Sequence, residues 1–144
     1  MCTNIDRIAT EIEKKRLKKI SKGHAWKIVR IDGEEWVAPY NYSVYKKVGT
    51  NVAGGCLDTS WGEIHGGAFH FFLTRKLARS VVKAQVKSNK TVYLIERKYK
   101  VVKVIFNAKD FVCIGRQRAI DKRVWNLPQG NESVCAKAFK FAEK

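Results

Sequence analysis

The chain has 144 residues, 45% of them hydrophobic and sixteen aromatic, which is enough apolar mass for one buried core and sets a single domain as the expected organisation. Its 29 Lys and Arg against 13 Asp and Glu leave a formal net charge of +16, and self-repulsion on that scale is best explained by a polyanionic partner, nucleic acid being the commonest. The composition argues against two classes: Cys2, Cys56, Cys113 and Cys135 form no CxxC pair of a disulfide or zinc scaffold, and the longest apolar stretches, such as Ala68–Leu73, fall far short of the roughly 20 residues a membrane helix needs. With no apolar leader at its start, the chain is expected in a reduced intracellular compartment, with no membrane among its partners.

From Asn4 to about Ser21, Ile5, Ile8, Ile12, Leu17 and Ile20 recur at helical spacing, with Thr3 or Asn4 as N-cap and Gly23 as stop. The acidic residues Asp6, Glu11 and Glu13 come early and Lys14, Lys15, Arg16, Lys18, Lys19 and Lys22 late, the order that suits the helix dipole. Next, Ala25–Ile31 and Glu34–Ala38 read as strands joined by Asp32-Gly33, a dipeptide that tolerates the positive φ of a tight hairpin turn. Pro39–Val48 predicts a short strand and Gly49–Gly67 mostly loop.

Ala68–Leu73 predicts a buried strand, and Thr74 caps a helix running to about Lys87 whose apolar face is Leu77, Ala78, Val81 and Val82, extended by Ala84 and Val86. Opposite stand Arg75, Arg79, Lys83 and Lys87 at i, i+4 spacing. Like charges so spaced weaken an isolated helix, so their repetition favours a function. Thr91–Arg97, Tyr99–Phe106 and Phe111–Ile114 are rich in Val, Ile, Tyr and Phe and predict three antiparallel strands. Arg116–Leu127 predicts one more before Pro128-Gln129-Gly130, and Glu132–Ala142 a last short helix burying Val134, Ala138 and Phe141. The expected architecture is therefore one α+β domain over residues 1–144: a mainly antiparallel sheet, a long N-terminal helix with residues 1–23 as an arm, a central helix and a short C-terminal helix.

In the middle of the chain Tyr45-Lys-Lys-Val48-Gly49, Trp61-Gly-Glu63, Gly67-Ala-Phe69-His70-Phe71-Phe72-Leu73-Thr74-Arg75 and Ala78 follow in order. This order resembles an uncharacterised domain of large DNA viruses that infect amoebae, in which a tyrosine and a Val-Gly step precede Gly-Ile-His-Phe-Phe-x-Thr-Arg-x-x-Ala, often beside pentapeptide repeats. The likeness covers about a quarter of the chain. It departs at Phe69 beside the histidine, in lacking a cysteine near Ile64 and in lacking the repeats. The resemblance implies a viral origin and no particular activity.

Charge is uneven along the chain: between Ile64 and Asn131 fifteen Lys and Arg face only Glu96, Asp110 and Asp121. Three basic groups could track phosphates: Lys14, Lys15, Arg16, Lys18 and Lys19, a run that also resembles a nuclear-import signal; the stripe Arg75, Arg79, Lys83, Lys87; and Arg97, Lys98, Lys100 and Lys103 with Arg116, Arg118, Lys122 and Arg123. Each has the plain alternative of a solvated face. Tyr93, Tyr99 and Trp125 lie among these charges as base-stacking rings would, or as ordinary core. Cys56, His65 and His70 with Cys113 or Cys135 match no compact zinc module, so no metal is expected. Cys56 with His65 or His70, oriented by Asp58 or Glu63, is a nucleophile–base set that any such chain could offer, so no catalysis is expected.

The expectation is a non-catalytic, largely sequence-independent binder of double-stranded DNA, with a genome-packaging or chromatin-like component as its natural role, without cofactor and open to homo-oligomerisation. Its expected location is the host nucleus or viral factory, or the virion. Two alternatives come from other classes: a small enzyme like the ADP-ribosyltransferases, whose strand-to-helix step Gly67–Arg79 faintly suggests, and a protein-interaction module whose charge serves solubility.

Overall fold

The computed structural model describes residues 2–8, 24–39, 43–57, 63–64, 66–118 and 132–142. Strand β2 (His24–Asp32) is the spine. Along it Ala25, Val29 and Ile31 alternate with Trp26 and Ile28, so the strand is apolar on both faces and both are covered. It turns at Gly33, whose φ of 60° only glycine adopts freely, into β3 (Glu35–Val37), the ladder closing at Asp32 opposite Glu35. Short strands β4 (Val44–Tyr45), β5 (Asn51–Val52) and β6 (Glu63–Ile64) precede β7 (Phe69–Phe72).

Helix α1 (Arg75–Ser88) follows, capped by Thr74, whose Oγ1 accepts from the Leu77 amide at 3.2 Å. Strand β8 (Lys98–Ile105) pairs with β2 from His24 opposite Ile105 to Ile31 opposite Lys98. Then come β9 (Phe111–Arg118), β10 (Glu132–Ala136) and β11 (Ala138–Phe141), while the first strand, β1 (Cys2–Ile8), pairs with β9 and β6. The sheet order is β5-β11-β8-β2-β7-β10-β9-β1-β6.

One residue, Lys137, separates β10 from β11, yet β10 pairs with β7 and β9 while β11 pairs with β8 and β5. A single bent strand thus belongs to two distant parts of the sheet, and the path β8-β2-β7-β10/β11 wraps back on itself as a barrel. Backbone bonds pin the corner: Lys137 N–H donates to Asp110 O and Ala53 N–H to Lys137 O, both at 2.8 Å. Inside lie Ala25, Val29, Phe71, Val102, Val104, Phe106, Phe111, Val134, Phe139 and Phe141, with Phe71 and Phe106 stacked at 5.8 Å. Outside, Ala78 and Val81 of α1 cover Ile28 and Phe72, with Trp26, Leu77, Val82, Tyr99 and Val101 around them.

The expected α+β arrangement of three helices is therefore corrected to a mostly antiparallel β fold with one helix, in the middle, among the described residues. The helix predicted from Asn4 begins instead inside strand β1, and residues 9–23, which carry the rest of it, lie outside the described residues. A bulge in β1 explains why helical spacing and a strand coexist: Ile5 pairs with Gly115 and Ile8 with Cys113, so residues three apart in sequence stand two ladder steps apart.

The predicted C-terminal helix is a second correction. Glu132–Ala136 and Ala138–Phe141 are strands, because the operative period is two: Phe139 and Phe141 are buried around exposed Lys140, whereas the helical reading chose Val134, Ala138 and Phe141. The strand predicted over Thr91–Arg97 is also overturned. The helical backbone runs on as a π-turn through Asn89–Tyr93, and Leu94, at φ 52°, ends it. Asn89 directs that ending, accepting from Gln85 Nε2 at 2.8 Å and donating Nδ2 to the Tyr99 hydroxyl at 2.9 Å. Of the strand predicted over Arg116–Leu127, Arg116 and Arg118 belong to β9 and residues 119–131 lie outside the described residues.

Candidate functional site

On α1 the buried side is Ala78, Val81 and Gln85, and Arg75, Lys76, Arg79, Lys83 and Lys87 are all exposed. A helix advances about 100° per residue, so an i, i+4 row drifts about 40° per step and the four cations of the expected stripe spread over about 120°. The line directly opposite the buried side consists of Lys76, Arg79, Lys83 and Lys87, and exposed Lys90 continues it in the π-turn. Arg75 lies at its flank, with its guanidinium 5.4 Å from the centre of the Trp26 ring, an arrangement that stabilises the cation and covers the indole. Sequence reasoning missed Lys76 and Lys90 because they enter the line at i+3 steps. α1 carries no acidic residue.

The other sequence-predicted cations divide. Arg97 and Lys98 are exposed at the entrance to β8, and Lys103 pairs with Trp26 on the sheet face that α1 covers. Lys100 is exposed on the opposite face, where it and Lys47 each lie 5.1 Å from the Trp36 ring, so it does not join α1's row. Arg116 and Arg118 are placed by their backbone on β9. Lys14, Lys15, Arg16, Lys18, Lys19, Lys122 and Arg123, with Trp125 and His65, lie outside the described residues. Tyr99, proposed as a stacking ring, is half-buried beneath α1 and bonded to Asn89.

His70 and Cys135 meet across the β7–β10 ladder, His70 Nδ1 and Cys135 Sγ standing 3.5 Å apart, and Cys135 faces Cys113 across β10–β9. Cys113 and Cys135 are buried and Cys56 is exposed. Among the described residues no three His, Cys, Asp or Glu side chains gather into a metal site. Asp58 is outside the described residues, and Glu63 is placed by its backbone opposite Asn4.

A second feature, which sequence reasoning missed, lies inside the barrel. Lys27 occupies an inward position of β2, between Ala25 and Val29, and is only 7% exposed. Its Nζ donates to His70 O at 3.2 Å and stands 5.1 Å from the ring centres of Tyr45 and Phe71 and 5.7 Å from those of Phe69 and Phe139. Burial lowers the ammonium to about 8, opposed by nearby Cys135, which favours the charged form; burial also pushes the Tyr45 phenol up. The signal was available: a lysine in register with apolar neighbours at period two.

Lys27 lines a cavity of about 600 Å³ bounded by residues 38–39, 43–46, 50–54 and 67–70, with Ile28 and Phe72. The opening follows from the pairing. Among the described residues β7 reaches β2 only at Trp26 and β3 joins it only from Arg30, so no described ladder closes the β2 edge over residues 27–29. Gly67, at φ 77°, holds the rim: a Cβ there would come within 2.5 Å of the Cys56 carbonyl oxygen, whereas one at Gly55, φ 74°, would meet nothing. Gly67→Ala is expected to cost about 2–4 kcal/mol and Gly55→Ala about 1 kcal/mol, read by chemical denaturation. Equal costs would show that the Cys56 loop does not pack on Gly67.

Comparison with protein-family models, with curated proteins and with solved structures finds no match to this chain. No helix among the described residues is long and apolar enough to cross a membrane.

Proposed function

We propose that this protein binds DNA without catalysis and largely without regard to sequence, laying the outward face of α1 along a phosphate backbone. The observation that supports the reading is the exposed row Lys76, Arg79, Lys83 and Lys87 on an acid-free helix whose opposite side is fixed to the sheet. At about 1.5 Å rise per residue, Lys76 to Lys87 spans about 16 Å, the axial length of roughly five base-pair steps at 3.4 Å each. Such contacts position a protein on the duplex and read no bases. The net charge of +16 supplies the longer-range attraction.

The viral origin that the resemblance implies, taken with the net charge of +16, points by analogy to a packaging or chromatin-like role in the host nucleus, viral factory or virion. A homo-oligomer would multiply one such face by avidity. The test is fluorescence anisotropy with two duplexes of unrelated sequence and one single strand across 50–200 mM salt. Both duplexes should bind alike, with log affinity falling against log salt at a slope of about −4 or steeper. Absence of binding at the lowest salt would end the proposal.

A further inference from the structure

We infer that the cavity between β2, β7 and residues 43–54 is a binding site for a small organic anion, an oxyanion joined to an apolar or aromatic body, with the Lys27 ammonium as its anchor. This site is separate from the α1 row, and the inference does not rest on the DNA reading.

Three observations carry it. First, the cavity, at about 600 Å³, falls within the range of pockets that enclose small molecules. Second, its described lining includes Lys27, Lys46, His70 and Asn51 and contains no Asp or Glu, and Tyr45 and Phe69 supply rings. Third, Lys27 is more than nine-tenths buried and its ammonium has three N–H donors, of which His70 O takes one. Aromatic faces soften the burial of a cation but carry no formal charge, and among the described residues no carboxylate lines the space beside it, a state that burial makes costly. An oxyanion entering from the cavity would supply both the missing charge and the missing acceptors, while its apolar part lies against the Tyr45 and Phe69 rings that already line the space.

The sequence around the cavity fits a preformed site. Asn51 is clamped to the Lys46 backbone in both directions, donating Nδ2 to Lys46 O at 3.0 Å and accepting the Lys46 amide at 2.8 Å, which fixes the 46–51 wall. Gly67 fixes the opposite rim against the Cys56 backbone. Walls held in this way, around a cation with no described carboxylate beside it, suit anion capture.

The experiment uses anilinonaphthalene sulfonate, a fluorescent aromatic sulfonate, titrated into the full chain at 150 mM salt, with decanoate and a DNA duplex as competitors. The expected result is one saturable site, displaced by decanoate. Affinity should fall about tenfold or more in Lys27→Met, as expected when a charge-assisted bond is lost, and should stay unchanged in a variant with Lys76, Arg79, Lys83 and Lys87 replaced by Gln. Thr50→Trp, at an exposed position of the rim, should also weaken binding and guards against any folding defect in Lys27→Met. The inference is overturned if Lys27→Met binds the dye as tightly as the native chain, whatever Thr50→Trp does. It is equally overturned if uptake is multi-site and disappears in the α1 variant, which marks the dye as adsorbed on surface cations. Displacement by DNA with loss in the α1 variant would assign the dye to the DNA face and leave the DNA reading standing alone.

Discussion

Replacing Lys76, Arg79, Lys83 and Lys87 together by Gln is expected to weaken duplex DNA binding about a hundredfold at 100 mM salt, taking roughly 0.7 kcal/mol for each phosphate contact. The loss should be equal for unrelated sequences, and the salt slope should shrink by about 3–4 units, one fraction for each counterion no longer released. Folding is not at risk. All four side chains are exposed, and removing like charges at i, i+3 and i, i+4 relieves helix repulsion of about 0.2–0.5 kcal/mol per pair. Stability measured beside binding should therefore hold or rise slightly. Gln at Lys47 and Lys100, which flank Trp36 on the opposite side of β8, should change affinity far less. If these two mattered as much as the α1 row, charge in bulk and not its placement would be responsible.

Lys27→Met is expected to stabilise the fold by about 2 kcal/mol near pH 7. The ammonium is buried with no carboxylate partner among the described residues, and its release near 8 instead of 10.5 corresponds to a folding cost of about 3 kcal/mol, partly offset by the four rings around it. The same residue sets a pH dependence. Between about pH 8 and 10.5 the unfolded chain holds the Lys27 proton and the folded chain has lost it, so the folded state gains about 1.4 kcal/mol per unit of rising pH. The penalty is fully present below pH 8. Above pH 10 the trend bends back, because an unfolded Tyr45 ionises at its ordinary value while burial keeps the folded phenol protonated. Urea midpoints from pH 7 to 10 should rise in the native chain and stay flatter in Lys27→Met. Cys135 and His70 are the titratable neighbours on β10 and β7, so Cys135→Ser serves as the control for their contribution. A less stable Lys27→Met would show that the cation–ring contacts outweigh desolvation.

Much of the central fold was legible because its signals are local. Thr74 accepting from Leu77, the Asp32-Gly33 turn and the alternation from Tyr99 to Phe106 each state their structure within a few residues. The termini were not legible, because long-range pairing decides them. In β1 a bulge lets isoleucines at helix spacing serve a strand, and in β10–β11 the pattern Val134, Ala138, Phe141 competes with the true alternation until β7 and β8 arrive to pair with it.

The site shows the same division. The basic face of α1 could be read from spacing, except for the drift that moves Arg75 to the flank and brings Lys76 to the front. Lys27 could be seen only as a lysine at an inward position. What surrounds it depends on residues from β4, β7 and β11, separated by up to about a hundred positions and brought together by barrel closure.

Lysine footprinting is the most direct test of where phosphates lie on this molecule. The full chain is acetylated briefly with and without saturating duplex DNA, and modification at each lysine is read by mass spectrometry. Lys76, Lys83 and Lys87 should become protected while Lys47 and Lys100 react as before. Protection that spares α1, or that is spread evenly over every exposed lysine, would contradict it.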